Sequence, residues 1–202
     1  HVDTEGDSVN PARLLKGVSA EDDHFENWTT SARLGLGVSG TLEVTLFGRY
    51  IDSDTDLDPE LESLGFGTTE DRDARLDQTE YLLRGEAKAQ LLDGLWEATL
   101  STSYSDFDRK NRNDRQLPTE TLTRTSFDGD KLKFELKNDF YPLDTHILTL
   151  GLETEKENMD SGGFSDFGGF FVGEETEADA RNNAVYVQDQ FSYAQRVFAT
   201  VG

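Results

Sequence analysis

Apolar and polar residues alternate along most of this chain with a period of two. Residues 82–107 read LLRGEAKAQLLDGLWEATLSTSYSDF, and every second position is apolar or small on both sides of the Asp93-Gly94 dipeptide. Because successive side chains of a β-strand point to opposite faces, this period predicts strands with one apolar and one polar face. An Asp-Gly pair between two such runs predicts a tight hairpin turn.

The same pattern recurs in five further runs and predicts seven strands in all, with an eighth beginning at Val197. Short turns are expected near residues 40, 94, 144 and 195. The runs that carry the alternation read TTSARLGLGVS, TLEVTLFGRY, KLKFELKNDFYP, HILTLGLETE and NNAVYVQDQFSYAQRVFATVG.

The connections between the predicted strands alternate in length. The links at about 52–78, 107–126 and 157–182 are long, as is the irregular acidic stretch at about 1–27, whereas the intervening turns are short. Short turns at one end and long loops at the other are typical of outer-membrane β-barrels, whose loops are extracellular. The pattern therefore predicts an all-β fold, an antiparallel up-and-down transmembrane β-barrel segment.

In that fold the apolar face contacts lipid and the charged face lines a water-filled lumen. Aromatic side chains near the strand ends fit the interface between hydrocarbon and water. A soluble antiparallel β-sandwich with one exposed polar face is the alternative that alternation alone leaves open. The aromatic residues in question are Trp28, Tyr50, Tyr81, Trp96, Tyr104, Phe140 and Tyr141.

The composition excludes some partners and some chemistry, but it says little about the fold. The 202 residues carry a formal net charge of −22, so nucleic acid is not an expected partner. There is no cysteine, which excludes disulfides and thiolate chemistry, and no apolar run is long enough for a transmembrane helix.

Three stretches resemble barrel segments of TonB-dependent outer-membrane receptors, especially those similar to the vitamin B12 receptor. They read ARLGLGVSGTLEVTLFGRYIDSDTDLD, LLDGLWEATLSTSYSDFDRKN and NNAVYVQDQFSYAQRVFATVG. The resemblance covers most of residues 24–202 and rests on loose patterns.

The resemblance implies a 22-stranded barrel, of which this chain supplies about 7–8 strands. It also implies an N-terminal plug domain and a short box that binds the TonB complex, and neither is visible in residues 1–202. The last residues, ATVG, fall within a predicted strand. We therefore expect the 202 residues to be a portion of one larger barrel domain, with a complete eight-stranded barrel as the alternative.

An acidic strand end is the first candidate site. Asp52, Asp54, Asp56 and Asp58 alternate in IDSDTDLDPE and share one face of an extended strand. Carboxylate oxygens are the ligands that calcium prefers, and calcium-ordered loops occur in relatives of the vitamin B12 receptor. The competing interpretation is a solvated strand tip without metal. No other cofactor is expected.

A glycine-rich aromatic segment is the second candidate site. Phe164, Phe167, Phe170 and Phe171 lie among glycines in SGGFSDFGGFFVGEE. Exposed aromatic rings on a loop predict contact with a ligand or a surface partner. The alternative is a loop that packs its rings against neighbouring loops.

A local basic patch in the segment RKNRNDR is the third candidate. Arg109 and Arg112 lie here, beside Lys110 and Arg115, and could attract an anionic ligand or a lipopolysaccharide phosphate. Pairing with the abundant carboxylates is the simpler interpretation. Inward charges, among them Arg33, Arg49, Arg84, Glu153 and Glu155, are expected to hydrate and pair within the lumen.

No motif supports catalysis, so we expect a protein that is not an enzyme. The three histidines are far apart, and no nucleophile elbow or phosphate-binding loop occurs.

The expected function is active import of a scarce nutrient, such as an iron chelate or a cobalamin, across the outer membrane of a Gram-negative cell. Expected partners are the TonB complex acting through a plug, membrane lipid and lipopolysaccharide, the nutrient, and a surface lipoprotein. The alternatives are a passive porin or structural barrel, and a soluble or cell-surface β-sandwich binding module.

Overall fold

A computed structural model describes residues 2–7, 22–57, 74–114, 122–194 and 196–202. These residues form a nine-stranded antiparallel sheet in which every strand pairs with the next one along the chain. The strands are β1 (Val2–Asp7), β2 (Asp22–Ser39), β3 (Leu42–Asp56), β4 (Arg75–Leu91), β5 (Trp96–Asn113), β6 (Leu122–Leu143), β7 (His146–Asp166), β8 (Phe171–Tyr193) and β9 (Val197–Val201). The predicted up-and-down antiparallel order is confirmed.

The described strands are longer than the alternation predicted. β7 continues to Asp166 and β8 begins at Phe171, so most of the range 157–182, predicted as a loop, is a paired hairpin. Glycines and acidic residues lower the strand propensity of these extensions, which hid them from sequence analysis.

The described strands also extend into the other predicted loop ranges, at the same end of the sheet. The links between described strands are residues 57–74 and 114–121, inside the predicted ranges 52–78 and 107–126. Within the stretch 1–27, β1 pairs with the start of β2, from Val2 opposite Asn27 to Asp7 opposite Asp22. The described strands thus extend into the predicted loop ranges, and the extracellular position of the links stays a prediction.

The short turns lie where the sequence placed them. β2 and β3 are joined at Gly40-Thr41, and β4 and β5 at residues 92–95, where Asp93 and Gly94 have φ values of 54° and 89°. Such positive φ angles suit Asp and Gly, which explains the Asp-Gly dipeptide at this turn.

Cross-strand register separates the sheet into an apolar face and a charged face. Directly opposite residues share a face, and Leu36 faces Val44, which is followed across the sheet by Ala87, Leu100, Leu136, Leu152 and Val185. The next row belongs to the charged face and contains Glu86, Ser101, Glu135 and Glu153.

The apolar face is open. Leu83 is 59% exposed and Leu100 is 52% exposed, and Ala74 is the one apolar residue that is fully buried among those described. A β-sandwich would cover these leucines with a second sheet, but the described residues form one sheet. No helix in the described part of the chain is long and apolar enough to cross a membrane.

Two sets of aromatic rings bound the apolar face. Trp96 stacks on Phe140 with ring centroids 5.7 Å apart, and Tyr50 lies 4.9 Å from Tyr81. Trp96 is opposite Leu91, so the two sets are ten residues apart along β4. At about 3.4 Å per residue and a tilt of about 40° this spacing is about 26 Å, the height of the apolar band of outer-membrane barrels.

We call Tyr50 and Tyr81, which lie far from the short turns, the upper aromatic set. The strands extend well beyond it. The predicted aromatic positions therefore mark the edges of the apolar band rather than the ends of the strands. Tyr141 departs from the pattern, since its odd position in β6 places it on the charged face with Asp139.

Candidate ligand-binding site

The hairpin between β7 and β8 carries all four predicted phenylalanines. Phe164 stacks on Phe171 across the strand pair, with ring centroids 5.8 Å apart and planes inclined by 25°. These two rings lie next to the turn that joins β7 and β8. We call Phe164, Phe167, Phe170 and Phe171 the aromatic tip.

Residues 167–170 close the aromatic tip in a tight turn. The Phe167 N–H donates to the Phe170 carbonyl at 2.9 Å, and the Gly169 N–H donates to the Asp166 carboxylate at 2.6 Å. Gly168 and Gly169 have φ angles of 74° and 101°, which side chains disfavour. The turn leaves Phe167 56% and Phe170 69% exposed, so two rings project from a hydrogen-bonded turn.

The acidic residues at the end of β3 are engaged within the sheet. Asp54 pairs with Arg75, and the Asp56 carboxylate accepts a hydrogen bond from the His24 N–H at 3.2 Å. Asp52 lies opposite Trp28 and Thr79. Asp58 lies outside the described residues. Among those described, no group of three or more His, Asp or Glu side chains is arranged to hold a metal ion.

The predicted basic patch is divided between the two faces. Arg109 lies opposite Gln78 and Phe127 on the charged face, whereas Arg112 lies on the other face and contacts Asp77 at 2.5 Å. Alternation explains the division, because residues an odd number of positions apart in a strand point to opposite sides. Arg115 lies outside the described residues.

A row of carboxylates that the sequence did not single out lies beyond the upper aromatic set. Asp108 is opposite Asp128, Asp128 is opposite Asp160, and Asp160 is opposite Glu177. Partial desolvation and the Asp108 carboxylate raise the pKa of Asp128 above its usual value. A hydrogen bond to Asp108 raises the pKa of Lys110. Only the cross-strand register brings these residues together.

The charged face carries a network of ion pairs. Lys131 contacts Glu155 at 3.0 Å and Glu157 at 2.6 Å, and Lys133 contacts Glu153 at 2.9 Å. The predicted inward residues Arg33, Arg49, Arg84, Glu153 and Glu155 all lie on this face. Side chains of both signs therefore alternate on this face.

The most buried polar side chains of the charged face lie near the short turns. Asp139 is 5% and Thr149 is 4% exposed; the Thr149 hydroxyl donates to Asp139 at 2.6 Å. Lys137 contacts the second Asp139 oxygen at 2.8 Å. Nearby, the ring of Tyr186 lies over Gly151, and the Tyr186 hydroxyl donates to Glu135 at 3.2 Å.

Comparison with solved structures connects this sheet to outer-membrane barrels. The ferric yersiniabactin uptake receptor FyuA from Yersinia pestis superposes with a TM-score of 0.64 at 6% identity, over 88% of this chain and 27% of FyuA. The RagAB peptide importer superposes with a TM-score of 0.62 at 12% identity, over 95% of this chain and 27% of that chain. The chain has the fold of a TonB-dependent-receptor-like barrel wall.

The barrel wall described here is an open sheet rather than a closed barrel, and it spans about a quarter of the length of either structure. In the sequence comparisons, no protein-family model matches and no curated protein matches. The resemblance to vitamin B12 receptors thus extends to the receptor-like fold, while a preference for cobalamin stays a prediction.

Proposed function

We propose that this chain is part of an outer-membrane receptor that imports a scarce nutrient into a Gram-negative cell with energy supplied through TonB. The observation that carries the proposal is the combination of an open apolar face, about 26 Å high between two aromatic sets, with a charged face of paired ions. That combination suits a wall between lipid and a watery lumen. The two structural neighbours are themselves an uptake receptor and an importer.

In this proposal the aromatic tip captures the nutrient on the extracellular side. Its exposed rings and tight turn offer rigid apolar contact area, as binding hot spots require. The nutrient class is an iron chelate, a cobalamin or a similar scarce solute. TonB would act through a plug domain, and a surface lipoprotein would dock on the same end.

Two further predictions belong to this proposal. Lipid and lipopolysaccharide surround the apolar face, with Arg112 near the headgroups, and its pairing with Asp77 limits its use as an anion site. Calcium at Asp52, Asp54, Asp56 and Asp58 would cross-link the strand end, in competition with the Arg75 contact to Asp54.

Uptake by the full-length protein tests the function. The protein would be expressed in a Gram-negative host that lacks its own iron-chelate and cobalamin receptors, and uptake of labelled ferric chelates and cobalamin would be measured. We expect saturable uptake that stops when TonB is removed. Uptake that persists without TonB would favour the passive porin, and no uptake of any tested solute would contradict import of these nutrients.

Removing the rings of the aromatic tip should weaken capture. We expect the double substitution Phe167→Ser with Phe170→Ser to raise the uptake KM about tenfold, the effect of losing about 1.4 kcal/mol of binding. Both side chains are exposed, so folding should be retained. Phe198→Ser, an exposed aromatic position at the opposite end of the sheet, is the matched control and should leave KM unchanged. Equal effects of the two variants would show that the aromatic tip does not take part in nutrient capture.

A further inference from the structure

A column of small hydroxyl side chains runs along the charged face of β5. Thr99, Ser101, Ser103 and Ser105 occupy successive positions on this face, between the longer side chains of β4 and β6. The small residues form the floor of a trough whose sides are charged.

The sides of the trough carry charges that change sign from row to row. Ser103 lies between Arg84 and Lys133, whereas Ser101 lies between Glu86 and Glu135. Adjacent rows on one face are two residues apart, about 7 Å along the strand. Between β4 and β6 the Ser103 row is therefore a cationic step directly above an anionic one, and Glu155 of β7, opposite Lys133, ends this step.

A cavity of about 110 Å³ opens at the cationic step. It is lined by Arg84, Ser101, Thr102, Ser103, Lys133 and Glu135. This volume corresponds to roughly three or four water molecules at about 30 Å³ each, which is room for one carboxylate or phosphate group. Hydroxyl donors on the floor and cations on both sides match the needs of such an oxyanion.

The cations at this step keep donors available. Arg84 contacts Glu86 at 3.0 Å and Lys133 contacts Glu153 at 2.9 Å, each through a single nitrogen. A guanidinium has five N–H donors and an ammonium three, so these contacts alone do not use all the donors of either cation. Arg33 lies two strands away in the same row, beyond Phe47, and has no carboxylate partner among the described residues.

A second cavity, of about 400 Å³, extends the trough toward Arg33. Arg33, Phe47 and Arg84 line it, together with Thr45, Leu82 and Glu86. In the Ser103 row, two arginines thus lie on either side of one aromatic ring, and the Glu86 carboxylate belongs to the anionic row below.

We propose that the Ser103 row binds the anionic group of a small solute, a carboxylate or a phosphate, on the lumen side of the wall. The proposal deepens the proposed import function and rests on it for the assignment of the charged face to the lumen. The carboxylates of the Ser101 row set the lower limit of the site, because they repel an anion that moves further along the strand.

Binding of inorganic phosphate and of citrate to the full-length protein in detergent tests the site. Isothermal titration should show saturable binding that weakens about tenfold or more in Arg84→Gln and in Lys133→Gln, the size of one lost charge-assisted hydrogen bond. The matched control is Lys156→Gln, which removes an exposed lysine from the other face of the sheet, opposite Leu132, and should bind as the parent does. A shift in electrophoretic mobility on heating would show that each variant is folded.

The outcomes separate this site from the import function. Binding of only one of the two probes would identify the anion type and still support the site. Absence of saturable binding of both probes, or equal losses in Lys133→Gln and Lys156→Gln, would overturn it. TonB-dependent uptake could persist in that case, whereas phosphate binding with no uptake would contradict the import function alone.

Discussion

Replacing Leu100 by arginine is expected to destabilise the folded protein in a bilayer by about 2–4 kcal/mol. Leu100 lies on the apolar face between the two aromatic sets, four residues from Trp96 and six from Asp106, which is opposite Tyr81. An arginine at this depth would hold a guanidinium in hydrocarbon, far from either interface. The denaturant concentration at the midpoint of unfolding, measured in lipid vesicles, should fall accordingly.

The adjacent residue supplies the control for this experiment. Ser101 lies on the charged face between Glu86 and Glu135, where an arginine finds two carboxylates. Ser101→Arg should therefore change the unfolding midpoint little. Equal destabilisation by the two arginines would mean that both faces are in similar surroundings, and a stable Leu100→Arg protein would show that the apolar face is not in lipid.

Replacing Gly151 by alanine is the second large expected effect. A Cβ atom at Gly151 would lie 2.0 Å from the ring of Tyr186, so the ring must leave its position over the glycine. The displaced ring also loses its hydrogen bond from the hydroxyl to Glu135. Overpacking of this kind costs about 1–3 kcal/mol, which the unfolding midpoint of the full-length protein would report.

Two variants make this prediction specific. Gly35→Ala is the matched control, because a Cβ atom at this charged-face glycine meets nothing within 4 Å. Adding Tyr186→Ala to Gly151→Ala should restore much of the loss, since the clash disappears with the ring. Additive losses in the double variant would contradict the packing of Tyr186 on Gly151.

The alternation of the sequence was enough to predict the architecture. Leu36, Leu100 and Leu152 lie in one row because each occupies the predicted face of its strand. The positions of the short turns could be predicted from the residues that form them, as at Asp93-Gly94. Periodicity and turn residues act within a few neighbouring positions, so a single sequence reveals them.

Longer-range features could not be read in the same way. The strands continue through Asp- and Gly-rich segments such as 157–166, where pairing with the neighbouring strand outweighs weak local propensity. The cationic step at Ser103 depends on register between three strands, and Arg84 and Lys133 are 49 positions apart in the sequence. The four phenylalanines of the aromatic tip could be grouped from composition, and their role in binding stays a prediction. The division of Arg109 from Arg112 could be seen only once the strand boundaries were known.

Spin-label accessibility along β5 tests most directly that one face of the sheet contacts hydrocarbon and the other an aqueous lumen. Residues 1–202 contain no cysteine. After any cysteine elsewhere in the full-length protein has been replaced by serine, a single cysteine at each position from 98 to 105 is spin-labelled and the protein is reconstituted in vesicles. Oxygen collisions should be frequent at even positions, such as Leu100, and infrequent at odd positions, such as Ser101. The same relaxation rate at both sets, or frequent collisions with a water-soluble nickel chelate at the even positions, would contradict the assignment.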